Sequence, residues 1–376
     1  MSFAGEVIYI YLYDLGGRLD LVAVRKQLRV ISGDFRRERK MPKYLSLKPE
    51  PLEYEFEGAQ INRNNVSVHV RIDIRMYSVG ALSVVFRIPF RGELPDLLSF
   101  FPQDSLEVIH SGKRMNLKSL SQELAERLRN QLQDCLSSAY EREESPEEYV
   151  VYCISNLEKG RSAAEFLHQN QKILTAVLRE IREVERVSDS ECESALRYVV
   201  SYSSDYLAAV DWASSFIIQT SPDYEDYVLT MELANLQLLQ LRAFDKLVDR
   251  LLDKAYSDTR FLSNPPLFSL LSSRKLSATI VDIAEMRMEM TDTVDKMMNI
   301  TKFFGDYVLA RLYEHLSTRL HLREWQATVT RKLDMLEDLY QMASDRVSGI
   351  RMLMLEAFIV LLFLFEVCMT ILQLLR

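Results

Sequence analysis

Apolar and polar positions fall into two regimes along this chain, and the change between them comes near residue 155. Before it, the periods are short. Glu6 to Tyr13 (EVIYIYLY) is a β-branched and aromatic run closed by Asp14-Leu15-Gly16-Gly17, so it predicts a strand ending in a turn. Leu19 to Val30 has helical spacing. From Val66 to Tyr77 the alternation is strict: Val66, Val68, Val70, Ile72, Ile74 and Met76 on one face, and Ser67, His69, Arg71, Asp73 and Arg75 on the other. This predicts a half-buried strand, paired through Gly80 with Ala81 to Ile88 as a hairpin. Leu117 to Tyr140 reads as a helix and Tyr149 to Ile154 as a further short strand, with the mixed acidic stretch 141–148 as a solvated connection. Residues 1–155 therefore predict a small α+β domain.

After residue 155 the spacing turns helical: Ala163 to Val187, Glu191 to Ile217, Asp226 to Tyr256, Leu276 to Phe303, and Tyr307 onward, with breaks at Pro222 and Pro265-Pro266. The expected order is a helical domain (156–305), a stalk helix (306–356) and a transmembrane helix (357–375).

The stalk carries a seam. Leu333, Tyr340, Val347 and Met354 take heptad position a, and Val329, Leu336, Ala343, Ile350 and Ala357 take d, so the whole a/d stripe is apolar. Lys332 and Glu337 suit a parallel partner, whereas Arg346 and Arg351 would repel one. Such a seam serves either a homo-oligomer or packing on the chain's own helices, and both alternatives stand.

Ala357 to Leu375 reads AFIVLLFLFEVCMTILQLL, and its nineteen residues span about 28 Å as a helix. Its thirteen strongly apolar residues each favour insertion by roughly 0.3–0.6 kcal/mol, against about 2.5–3.5 kcal/mol for the central acid Glu366. Insertion wins, and the lipid bilayer is the first expected partner. Arg331, Lys332, Arg346 and Arg351 before the span outweigh Arg376 after it, which keeps the body cytoplasmic or matrix-side. The favoured reading of Glu366 is a protonated carboxyl hydrogen-bonded across an oligomer; a proton or cation path and snorkelling are the alternatives.

Composition narrows the function. With 46 Lys+Arg against 54 Asp+Glu and a net charge of −8, no broad phosphate-binding surface is expected, and no nucleic-acid partner. Cys135, Cys153, Cys192 and Cys368 lack paired spacing and read as reduced structural thiols. The first residues, with Glu6 and Asp14 early and no basic stretch, resemble neither a secretory signal nor a transit peptide.

The chemical candidates are thin. Gly16-Gly17 lacks a phosphate-loop pattern and reads as a turn. His69, His110, His168, His315 and His321 show no ligand spacing. Glu285, Glu289 and Asp292 share a helix face beside a separate stripe of Met286, Met290, Thr293 and Met297, which is simple amphipathy. His315, Arg319 and Arg323 form a cationic stripe that reads as a solvated face. The basic loop Arg36 to Lys43 has no interleaved aromatic residue for stacking on bases. No catalytic, cofactor-binding or metal-ligating set emerges, so no cofactor is expected and the chain reads as non-enzymatic.

One resemblance adds to this. Leu355-Glu356, nine apolar residues and then Glu366-Val367 are similar to the C-terminal signature of the family named "required for meiotic nuclear division". Arg331 to Leu339 resembles that family's leucine-rich helix before the anchor, Tyr77 with Gly80 to Phe86 its aromatic-glycine-hydrophobic strand, and Ala234 to Leu252 its middle helix. Two tryptophans of the pattern are missing: Val84-Val85-Phe86 stands at one site and Ala357 at the other, which marks a divergent, prokaryotic relative. The resemblance implies a membrane-anchored protein of a prokaryotic inner membrane, or of mitochondria if eukaryotic, where members support translation; it brings no catalytic residues. Glu356 and Glu366 are its intramembrane polar positions. The expected function is a membrane-anchored, oligomeric scaffold presenting a surface to an unknown protein partner. The alternative is a cation-transport component laid out like CorA-type magnesium channels, though their second span and Gly-Met-Asn loop are absent.

Overall fold

The computed structural model describes residues 2–31, 35–39, 50–63, 66–101, 106–137, 140–155, 157, 162–219, 224–262, 287–288 and 307–374. The chain divides into a first unit (residues 1–243 and 294–326) and a second (244–293 and 327–376). The fold is a mixed α+β unit followed by a helical region with a long apolar final helix.

One sheet organises the first unit. Its strands are β1 (Phe3–Asp14), β3 (Phe35–Arg39), β4 (Leu52–Arg63), β5 (Val66–Tyr77), β6 (Ala81–Gly92), β7 (Glu107–His110), β8 (Lys113–Asn116), β10 (Glu147–Ile154), β11 (Tyr198–Ser203), β12 (Tyr206–Val210) and β13 (Ser214–Gln219). They lie in the order β11-β12-β13-β10-β1-β6-β5-β4-β7-β8, with β3 against β4, while β2 (Arg18–Leu19) and β9 (Leu136–Ser137) pair separately. Every pairing is antiparallel except β10 with β13.

Strand β1 sits at the centre, buried on both sides. Val7, Tyr9 and Tyr11 join a core with α1 (Leu21–Ile31), α2 (Leu117–Gln131), α3 (Ala163–Gln169) and α4 (Gln171–Leu178). Ile8, Ile10 and Leu12 enter a second core with the first part of α6 (Glu225–Leu262) and with α7 (Tyr307–Arg319). That is why its sequence is apolar without alternation: neither face meets water. At the β5–β6 turn Gly80 has φ +81°, and a Cβ there would lie 1.5 Å from the Gly17 carbonyl oxygen. Only glycine fits such an approach.

Several expectations need correction. The segment from Glu191 to Ile217, read as one helix, is a short helix α5 (Asp189–Ala195) followed by β11, β12 and β13. Its alanines and serines are poor local markers of strand, and β13 is instead held by its long-range pairing with β10. A domain boundary at residue 155 therefore falls inside a single sheet. Helix α2 stops at Gln131, and the helix read from Ala163 to Val187 is divided at Asn170. The helix read from Tyr307 onward is two, α7 and α8 (Leu322–Leu374), separated at His321 with φ +54°. The expected helix from Leu276 to Phe303 lies outside the described residues apart from 287–288, as do the three carboxylates and the methionines on it. The basic loop lies outside them too, apart from the backbone of its first residues in β3.

In the second unit, Val329, Leu333, Leu336 and Tyr340 of α8 are buried against Phe244, Val248, Leu252 and Ala255 of α6. For these four seam positions the partner is the chain itself. The side chains of Ala343, Val347 and Ile350 lie outside the described residues, and Met354 is half-buried. Lys332, expected to face a partner helix, reaches Asp245 Oδ1 and Asp249 Oδ1 at 2.7 Å each.

Candidate functional site

Two arrangements go beyond ordinary packing: a buried set of ion pairs in the first unit and a bare apolar helix in the second.

The polar face of β5 is exposed at Ser67 and His69 but covered further along the strand. Asp73 is 0% exposed and Arg75 1%, and the helix over them supplies Glu232 at 0%. The sheet register builds this set. Glu53 of β4 lies directly across from Arg75, and Arg71 directly across from Arg87 of β6, with Asp73 two residues further along β5. Arg75 pairs with Glu232, with Glu53 (Nε to Oε2, 3.2 Å) and with Glu225 (Nη2 to Oε1, 2.9 Å). Arg87 donates to Asp73 (Nε to Oδ2, 3.0 Å) and places Nη2 on both Glu225 oxygens at 2.5 and 2.6 Å. Arg71 Nε reaches the same Asp73 oxygen at 3.1 Å, and the Tyr77 hydroxyl donates to Glu232 Oε1 at 2.7 Å. Like charges on Arg71 and Arg87 are thus bridged by one carboxylate.

Glu225 is the first residue of α6, where a carboxylate also meets the positive end of the helix dipole. The network therefore fastens the start of α6 to the middle of the sheet. Arg71, Arg75 and Arg87 are each paired with carboxylates, so the arrangement ties the sheet to the helix. Burial pushes the Tyr77 hydroxyl up, and Glu232 adds to it. Burial would also raise the Glu225 carboxyl, but Arg87 and Arg75 more than offset this and hold it below its usual value. A carboxylate lowered in the native state contributes stability that is complete above its unfolded value, about 4.3, and is lost as pH falls through the lower native value. Acid unfolding followed by circular dichroism is expected to steepen in that window, and Glu225→Gln to flatten it. Equal slopes in the two proteins would mean that Glu225 titrates as a free carboxyl.

A second hub lies at the β12–β13 turn. Asp211 accepts from Arg179 just after α4, and from Arg319 at the end of α7 (Nε to Oδ1, 2.6 Å). Arg179 also pairs with Glu191 at 2.6 Å. The cationic stripe is thereby broken up: Arg319 is spent on Asp211, the His315 ring lies edge-on to Tyr198, and Arg323 alone of the three is exposed. Among the described residues no group of three or more His, Cys, Asp or Glu has the arrangement of a metal site. Cys135, Cys153 and Cys192 are buried free thiols, and Cys368 is an exposed one.

The bare helix is the end of α8. Met352–Ile371 is long and apolar enough to cross a membrane, and among the described residues none of its apolar window is more than half-buried. Phe363 is 65% exposed and Leu361 64%. Glu366 and Glu356 both lie exposed on it. A core helix of this composition would be covered, and a signal sequence would lie near the other end of the chain.

A family model described as "Uncharacterized protein MJ0711, N-terminal domain" matches residues 4–225. The chain belongs to this family. A curated relative, Uncharacterized protein MJ0711 of Methanocaldococcus jannaschii, is 28% identical over 266 residues, which covers 71% of this chain and 78% of the relative. No solved structure matches the chain. The family-model match takes in Glu53, Asp73, Arg75 and Arg87 and ends at Glu225, short of Glu232 and of the apolar helix. The likeness to the meiotic nuclear division family rests on the residues quoted for it alone.

Sequence reading placed Arg71, Asp73 and Arg75 correctly on one face but took that face for a solvated one. The available signal was Glu225 and Glu232, seven residues apart on one side of a helix that is otherwise densely apolar, together with a third cation in Arg87. Opposite charges on two apolar elements are a hint that the elements pair.

Proposed function

We propose that this chain is a membrane-anchored, non-enzymatic scaffold. Its MJ0711-family unit presents a protein-binding surface on the cytoplasmic side, and the end of α8 holds it to the bilayer. One observation carries the reading: Met352–Ile371 is twenty residues, about 30 Å of helix, apolar except for Glu356, Glu366 and Thr370, and its apolar window is left uncovered among the described residues. Uncovered apolar area of this extent in water invites aggregation, and lipid removes that cost. Basic residues before the span favour a cytoplasmic body, and the resemblance to a membrane-anchored family points the same way. The non-enzymatic part of the reading is supported by how the buried charges are used, since they hold α6 in place.

The test is flotation with phosphatidylcholine vesicles. The full chain is expected to float and to resist high-salt and alkaline washes. A chain lacking residues 352–376 should stay in the dense fraction with its circular dichroism otherwise that of a folded protein. If the truncated chain floats as well, the tether lies elsewhere.

A further inference from the structure

The polar residues of the bare helix are not scattered. Between Phe358 and Leu374 they are Glu366, Thr370 and Gln373, at i, i+4 and i+7. At 100° per residue they fall within about 60° of arc, a single stripe on an otherwise apolar cylinder. All three are exposed. The Thr370 hydroxyl donates to the Glu366 main-chain oxygen at 2.8 Å, so it leaves the carboxyl group unserved. Among the described residues no side chain of this chain bonds the Glu366 carboxyl or the Gln373 amide.

In hydrocarbon there is no water to satisfy such groups, and polar side chains in a span turn toward protein. We propose that the Glu366–Thr370–Gln373 stripe is the contact face between two copies of this chain inside the bilayer. The inference rests on the membrane reading. A second copy is the occupant the observations favour for two reasons. Copies inserted the same way carry the same three residues at the same depth, and each stripe holds both donors and acceptors, so it complements itself about a twofold axis along the membrane normal. The stalk seam offers no equivalent surface from Val329 to Tyr340, because α6 already fills it. Self-association thus falls to the span, where hydrogen bonds between helices act as the glue.

Cysteine cross-linking in vesicles tests this with the full chain. Cys135, Cys153 and Cys192 are buried and stay in place, and Cys368→Ser removes the exposed thiol. In that background Leu362→Cys puts a thiol on the stripe side one turn before Glu366, while Leu364→Cys puts one at similar depth about 160° away. On oxidation with copper–phenanthroline, Leu362→Cys is expected to give a disulfide-linked dimer several-fold above Leu364→Cys. Adding Glu366→Leu should abolish that excess, and Glu366→Gln, which keeps hydrogen bonding, should retain most of it. Equal cross-linking at both positions, or none, in variants that float with the vesicles would overturn the pairing and leave the tether standing. Failure of the parent chain to float would remove both.

Discussion

Replacing Arg75 by methionine is expected to lower the unfolding free energy of the first unit by about 3–5 kcal/mol, the cost of breaking a buried ion pair from one side. Arg75 is 1% exposed, and its loss strands Glu232 at 0% and Glu53 at 4% with no other arginine of the described residues on them. Tyr77 would still donate to Glu232, which softens the effect without cancelling it. Urea unfolding followed by circular dichroism measures the difference. Adding Glu232→Gln to Arg75→Met should recover part of the loss, because a neutral amide tolerates burial better than an unpaired carboxylate. A shift below about 1 kcal/mol for Arg75→Met, the size expected of a surface pair, would mean that water reaches these groups freely.

The second large effect concerns the span. Leu361→Arg with Leu364→Arg each exchanges a residue favouring insertion by roughly 0.3–0.6 kcal/mol for one opposing it by about 2.5–3.5 kcal/mol. Together they move the balance by about 6–8 kcal/mol, more than the net preference of a helix that already carries Glu366. The double variant is expected to leave the vesicle fraction, while Leu361→Ala with Leu364→Ala stays in it. Neither leucine lies on the Glu366 stripe, so release would be caused by lost insertion and not by lost pairing. Continued flotation of the arginine variant would mean that the helix is not what binds lipid.

How far the chain could be read depended on whether the cause of each element was local. The β1 run, the alternation of β5, the hairpin glycine at Gly80 and the apolar final helix all carry their reason in neighbouring residues, and all were legible. The strands β11 to β13 were not. Leu207-Ala208-Ala209-Val210 is compatible with either secondary structure, and it is the pairing of β13 with β10, about sixty residues away, that selects strand. The seam was legible as a seam, but periodicity shows only that a stripe must be covered. It does not say by what. Packing of Val329, Leu333, Leu336 and Tyr340 on α6 depends on where two distant helices meet.

Sequence alone therefore determined the class of the first unit, its strands β1, β5, β6 and β10 and the presence of a helix too apolar for water, because side-chain period and transfer energy are properties of a segment by itself. Only the tertiary structure decided that Asp73, Arg75 and Arg87 are buried beneath one helix and not solvated. A charge is stable inside a protein when its counter-charge is brought to it, and the counter-charges Glu225 and Glu232 come from a helix that begins more than one hundred residues later.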